Sequence, residues 1–286
     1  MGAFWAAYGS TAAFAMINAF FALSTYAVLQ TGLLSFATVT FAAVGGFLST
    51  QMVLAGWPLP AAFAAAAGAG GMASALAALV LLRLRSHWMA LASLALVLIT
   101  RIVVLNSPTL TGGANGLSVP VDLSIVWPAG MLAFSMVAFW ALDRSWYGIA
   151  ARAVREDPAV ASSMGIRPRQ IQAIAFVISG VTGGLGGALL ALMLQYVSPD
   201  TFFINIAFAM IAAVVLGGSY HWLGPVIGAA AFTVLPVVTA AVLPDVQDIA
   251  KGVVLLLVML FLPRGMVDPR AIRLRAARMR AGRTAQ

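Results

Sequence analysis

The chain has no cysteine, one lysine and two histidines, and only 8% of its 286 residues are charged. Without cysteine there are no disulfides, no thiolate nucleophile and no sulfur-ligated metal. His87 and His221 are isolated in sequence and have no carboxylates beside them. They offer neither metal-ligand spacing nor a Ser-His-Asp constellation. Lys251, the single lysine, is followed by Gly and Val. No G-x-x-x-x-G-K-[ST] phosphate loop is therefore present, and the chain cannot hydrolyse nucleotide by itself. The shortage of charge excludes most. A water-soluble domain carries about a quarter charged residues because its surface faces water. Sixteen basic and eight acidic side chains cannot coat a globule of this size, which rules out a soluble enzyme, a disordered tail and a secreted disulfide module.

What is abundant is apolar. The apolar share is 62% and the mean hydropathy +1.01. A helix needs roughly 20 apolar residues to cross about 30 Å of hydrocarbon. Such runs occur at about 8–29, 33–55, 59–82, 87–105, 124–142, 171–194, 204–220, 224–243 and 249–263. The expected fold class is therefore all-α, a polytopic membrane protein of about nine transmembrane helices. Its domains would be a membrane part over 1–263, with a cytoplasmic loop at 143–170, and a basic tail over 264–286. No cleavable leader is expected, because Met1–Tyr8 has no basic residue and the first apolar run exceeds a signal-peptide core.

The basic residues orient these spans. Arg83 and Arg85 lie between spans three and four, Arg144, Arg152, Arg155, Arg167 and Arg169 between five and six, and seven arginines from Arg264 to Arg283 after span nine. An even number of spans separates every pair of these clusters, so all can share one side. The opposite loops hold only Asp122, Asp200 and Asp245. The positive-inside rule makes the basic side cytoplasmic, with the amino terminus outside and the carboxyl terminus inside. The tail carries +6 of the net +8. Topology and attraction to anionic headgroups, about 1 kcal/mol per basic residue near the surface, account for it. Membrane lipid is thus an expected partner and nucleic acid is not.

All eight acidic residues fall in loops or at helix ends. A proton-coupled carrier normally buries a carboxylate at mid-membrane to load and release its proton, so energy supplied from outside the chain explains uptake better. The run Gly180-Val-Thr-Gly183-Gly184-Leu-Gly186-Gly187 contains the spacings Gly180/Gly184 and Gly183/Gly187. Within an apolar span, that spacing reads as close helix packing.

Residues 143–170 form the one substantial polar segment. Arg152 and Arg155, three apart, share a helix face beside Glu156. Asp157-Pro158 reads as an N-cap followed by proline at the first helical position, and Gly165 suits the left-handed residue that ends a helix, with Ile166 closing over the last turn. The spacing predicts a short surface helix at about 158–164. Its small residues Ala159, Ala161, Ser162 and Ser163 would be exposed for another protein to approach.

The stretch Arg152-Ala-Val-Arg-Glu-Asp-Pro-Ala-Val-Ala-Ser-Ser-Met-Gly165-Ile166 resembles the cytoplasmic motif of branched-chain amino-acid ABC transporter permeases. So do Ala175–Ala188, Val197–Phe202, Val215–Gly218, Leu223–Ala229 and Leu260–Met266, and, in the amino half, Thr31–Ser35, Leu82–Arg85 and Leu110–Leu117. The motifs follow the family's order over nearly the whole chain and most resemble the M-type subunit. The resemblance implies an importer assembled from a second permease, two ATPase subunits and a periplasmic or secreted solute-binding protein. The chain itself would carry no cofactor, with ATP and magnesium on the ATPase subunits. Carried onto this sequence, Arg152, Arg155, Glu156, Asp157, Pro158, Ala161 and Gly165 would form the ATPase-coupling element.

Two departures concern the solute. Where the family often reads Ser-Leu-Gly-His, this chain has Ser35-Phe36-Ala37-Thr38; where it often has Glu three residues before an arginine in span four, Leu98 precedes Arg101. A urea or short-amide permease therefore stays open beside a branched-chain amino-acid one, with a stand-alone secondary carrier as the alternative of another class. A polar solute needs polar partners, and broken or small-residue helices supply them. Candidate pathway residues are Ser35, Thr38, Thr40, Gly45 and Gly46 on span two, Gly217 and Gly218 as a counterpart on span seven, and Arg101. The outer turn Thr111, Gly112, Gly113, Asn115 and Gly116 is a candidate contact for the binding protein.

Overall fold

A computed structural model describes the backbone of residues 2–84 and 86–242, with side chains over 9–84 and 87–235. The ninth predicted span, the basic tail and Arg85 lie outside the described residues. Among the described residues eleven α-helices run in chain order: α1 (Gly2–Leu29), α2 (Thr38–Leu54), α3 (Leu59–Leu81), α4 (Ser86–Leu105), α5 (Pro108–Thr111), α6 (Val126–Arg144), α7 (Trp146–Glu156), α8 (Pro158–Ser163), α9 (Pro168–Leu194), α10 (Ile204–Gly217) and α11 (Leu223–Val242). Among the described residues, the strands are β1 (Leu117–Ser118) and β2 (Tyr196–Val197), an antiparallel pair that matches Leu117 with Val197.

Eight of the predicted spans correspond to α1, α2, α3, α4, α6, α9, α10 and α11. Of these, α1, α3, α4, α6 and α9 are long and apolar enough to cross a membrane, whereas α2 and α10 are shorter. The chain is an all-α, multi-pass membrane protein. The sequence reading places the start of span two at residue 33, but α2 begins at Thr38. Residues 33–36 are irregular: the Phe36 N–H donates to Ser93 Oγ at 2.9 Å and the Ala37 N–H to Ser35 Oγ at 3.2 Å. Irregular backbone persists at membrane depth only where protein satisfies it, and these two serines do so.

At the centre α9 packs chiefly against α3, α2 and α1. Its glycines divide between two faces. A methyl group on Gly180 or Gly184 would collide with α3, at Gly70, Ser74 and Ala66; on Gly187 it would collide with α2 at Ala42. At Gly183 a methyl would press on Ser24 Oγ of α1 at 3.0 Å. The two small-residue spacings thus bring α9 close to all three neighbours, and lipid-embedded helices gain packing where backbones meet. Around this seam Phe20, Phe21, Phe41, Phe63 and Phe176 are fully buried. Ser24 and Ser179 share a hydrogen bond at 3.0 Å between α1 and α9, and Asn18 donates to Thr233 of α11 at 2.9 Å.

Loops assigned to one side by charge also meet in space. The link from α1 to α2 and the link from α10 to α11 both touch α7, while at the other end of the bundle β1–β2 joins two loops and the Arg101–Asp200 pair ties α4 to the link before α10.

Candidate functional site

Between α6 and α9 lies a platform of two helices. Tyr147, Ala150, Ala151 and Val154 recur three to four residues apart and are buried, giving α7 one apolar face. That face joins Ala161, Ile171 and Ala175 in one cluster. The following helix starts as its residues dictate. Asp157 accepts from the Ala159 and Val160 N–H groups at 2.7 and 3.2 Å, satisfying two amides that no helical carbonyl can reach. At the other end Gly165 is left-handed at φ +81°, and the Ile166 N–H bonds back to the Ala161 carbonyl at 3.1 Å. Proline start, Asp cap and glycine stop all fall where the sequence puts them.

Ala161 does not fit the expectation of an exposed small-residue face, for it is 1% exposed and turned onto α7 and α9. In so short a helix the inward residue is decided by the cluster beneath it, Tyr147, Ala150 and Ile171. The outer face instead presents Val160 and Met164, 55% and 74% exposed, beside Ala159, Ser162 and Ser163. Arg152 and Arg155 have different partners. Arg152 reaches back to the Asp143 carboxylate, Glu156 has no ion pair among the described residues, and Arg155 turns into the protein.

Arg155 is the centre of this arrangement. Its guanidinium donates to the Ser219 carbonyl and, at 2.9 Å, to Ser219 Oγ, and it lies over the Tyr220 ring with 4.2 Å to the centroid. Its backbone meets the α1–α2 link as well: a methyl on Gly32, at φ +82°, would come within 3.3 Å of Arg155 Cα. Next to it, Gln30 Nε2 donates to the Tyr147 hydroxyl at 3.2 Å. Burial pushes the Tyr147 phenol above its ordinary value, against the opposing pull of Gln30, so the ring stays neutral. One helix therefore touches the links that lead into α2 and α11. Sequence reading missed Gln30, Tyr147, Ser219 and Tyr220, although the polar pair Gln30-Thr31 at the end of an apolar span was a signal.

The pathway candidates separate. Gly45 packs backbone to backbone on Gly184, and Gly46 against Phe202 and Gly187. Gly217 lies against Gly224 and Gly228 of α11, and Gly218, at φ +100°, ends α10. The two glycine pairs occupy different places, mid-helix and helix end, so they are not structural counterparts. Thr38 contacts Thr25 of α1, whereas Thr40 accepts from Thr100 of α4 at 3.2 Å. With Ser93 bonded to the Phe36 amide, α4 directs Ser93 and Thr100, one heptad apart on one face, at the start of α2. This α2–α4 strip was not read from the sequence; two hydroxyls seven apart in an apolar helix were the available sign. Thr50, also on α2, is fully buried and its hydroxyl has no partner among the described residues.

Arg101 follows Thr100 and pairs with Asp200 at 2.7 Å, its guanidinium 4.6 Å from the Phe203 ring centroid. The carboxylate that Leu98 does not provide comes from the α9–α10 link. The turn from Thr111 to Gly116 is held closed: Gly112, Gly113 and Gly116 all have positive φ, Thr111 Oγ1 donates to the Val104 carbonyl at 2.6 Å, and the Asn115 carbonyl accepts from the Tyr196 hydroxyl at 2.9 Å.

Among the described residues no group of three or more His, Asp or Glu side chains is placed to hold a metal. His221 accepts from the Leu223 N–H at 3.2 Å, at the start of α11.

The high-affinity branched-chain amino acid transport system permease protein LivM of Escherichia coli is 28% identical over 224 residues, 65% of this chain and 52% of that protein. LivH of Salmonella typhimurium, from the same kind of system, is 28% identical over 165 residues, 57% of this chain and 53% of its own. The guanosine ABC transporter permease protein NupQ of Bacillus subtilis is 32% identical over 101 residues, 35% of this chain and 31% of NupQ. The chain spans about half the length of the LivM and LivH relatives. No solved structure matches. The family model for the permease component of the branched-chain amino acid transport system matches residues 8–262, and the chain belongs to that family.

Proposed function

We propose that this chain is the M-type permease subunit of an ATP-driven importer in a bacterial inner membrane. It forms part of the translocation pathway for branched-chain amino acids. Two ATPase subunits bind and hydrolyse ATP, a second permease completes the pathway, and a solute-binding protein delivers cargo from outside. The amino terminus is outside and the basic end of the bundle cytoplasmic, as the distribution of arginine supports.

The observation that carries this reading is Arg155, which joins the platform to two transmembrane helix links. An ATPase docked on α8, against Val160 and Met164, moves α7, and α7 moves the links into α2 and α11. The solute follows the α2–α4 strip of Ser35, Ser93, Thr40 and Thr100, with Arg101 at its outer mouth and Thr50 supplying an uncommitted hydroxyl. Thr38, Gly45, Gly46, Gly217 and Gly218 set how closely the helices around it pack. The closed turn from Thr111 to Gly116 receives the binding protein.

Proteoliposomes containing this chain with its partners test the reading. Leucine, isoleucine or valine should accumulate only with ATP inside and binding protein outside. Uptake by the chain alone under an ion gradient would overturn the proposal in favour of a secondary carrier. Similarity to a guanosine permease makes guanosine the first competitor to try, with urea next. Displacement of leucine from the binding protein by either would change the solute and leave the mechanism.

A further inference from the structure

Towards the arginine-rich end of the bundle, α3 and α9 separate into an open groove of about 560 Å³. Its walls are Leu79, Ile174 and Val177, all more than a third exposed. Its end is marked by Arg83 and Arg169. The two helices run antiparallel, since Ala66 meets Gly184 and Ser74 meets Gly180. From Ala75 to the end of α3 at Leu81 the groove follows the helix for about 9 Å at 1.5 Å per residue, and Arg83 stands in the turn just beyond. One leaflet of hydrocarbon is about 15 Å deep, so a groove of this length fits within one leaflet, with its two arginines gathered at one end.

Both arginines are exposed, and neither has an ion-pair partner among the described residues. Arg169 stands in the first turn of α9, where the helix dipole is already positive and no side chain caps the amides. Cation on positive helix end is unfavourable until an anion arrives. A second groove, of about 500 Å³ between α3 and α6, is lined by Phe63, Trp127 and Phe134 and has no charged residue, so nothing there selects an occupant. We propose that the α3–α9 groove binds an anionic phospholipid, with an acyl chain along Leu79, Ile174 and Val177 and the phosphate between Arg83 and Arg169. The proposal requires only that the chain resides in a membrane, so it stands or falls apart from the importer reading.

The test is native mass spectrometry of the full-length chain in detergent, offered dioleoyl-phosphatidylglycerol or dioleoyl-phosphatidylcholine. Two basic residues at a headgroup should favour the glycerol lipid about tenfold or more. The double variant Arg83→Gln with Arg169→Gln should retain the two lipids equally, and Arg83→Lys with Arg169→Lys should keep the preference, which shows that loss in the first is not misfolding. Ala75→Trp, filling the apolar part, should release the phosphatidylglycerol although both arginines remain. Glycerol phosphate, which has the charge and no chains, should fail to displace it. Equal retention by the unaltered chain, or an undiminished preference in the glutamine variant, would overturn the proposal.

Discussion

The glycine seam around α9 and the α7 platform join helices by opposite means. In the seam backbones touch: Gly45, Gly70 and Ala66 all meet Gly184 or its neighbours with no room for a methyl group. In the platform long side chains span the gap, Arg155 to Ser219 and Gln30 to Tyr147. A backbone contact has one geometry and resists sliding. A guanidinium on a flexible stem can follow its acceptor. Backbone contact thus makes the axis the more rigid part of the bundle, and long side chains make the platform the more compliant part.

The largest expected effect tests the rigid part. Gly184→Leu places a branched side chain against the Ala66 carbonyl and Gly70 Cα. Neither is a side chain that can swing away. Overpacking usually costs about 1–3 kcal/mol and more when backbones must move, so the variant should not elute as a monodisperse species in detergent. Gly9, with nothing near its side among the described residues, is the control: Gly9→Ala should be indistinguishable from the parent. A well-behaved Gly184→Leu would remove the distinction between the two regions.

Next comes the compliant part. Arg155→Met keeps the stem and deletes the donors to Ser219. Hydrogen bonds from a charged group contribute about 1.5–3 kcal/mol. The variant should still fold and bind ATPase subunits, yet solute uptake per ATP hydrolysed should fall about tenfold or more. An unchanged ratio would mean that the platform does not transmit motion through this residue. Asp157→Ala should have a smaller effect. Losing an N-cap costs about 1 kcal/mol, enough to fray a six-residue helix, so stimulation of the ATPases by this chain should drop about fivefold. Asp157→Asn should restore it because it still accepts from the Ala159 amide.

These regions differed in how far the sequence disclosed them. Asp157, Pro158 and Gly165 act on their immediate neighbours, and such local rules give α8 to within a residue of its observed end. The paired spacings in Gly180–Gly187 likewise revealed a packing face, because helical periodicity alone places those residues. What could not be read was any contact between distant segments. Arg155 meets Ser219 across 64 positions and Arg101 meets Asp200 across 99, and no local pattern joins such pairs. Ala161 was misplaced for a related reason: a small residue fits either face of a short helix, and only the cluster beneath decides. The irregular start of α2 was partly visible in Ser35 and Thr38, but its partner Ser93 lay on another span.

The smallest effect sharpens the comparison at the far end of the bundle. Arg101 and Asp200 also form a long-range side-chain bridge, yet both are open to solvent, at 37% and 73%. Exposed pairs of this kind contribute at most about 1 kcal/mol, and the Phe203 ring supplies a second surface for the guanidinium. Arg155, by contrast, binds a backbone carbonyl within the fold. Arg101→Ala should therefore leave melting behaviour nearly unchanged and raise the half-saturating solute concentration less than about fivefold. Raised salt should weaken the parent in the same direction, since screening acts on exposed charges. A loss as large as that of Arg155→Met, with unaltered folding, would move Arg101 from the mouth of the strip into contact with the solute's carboxylate.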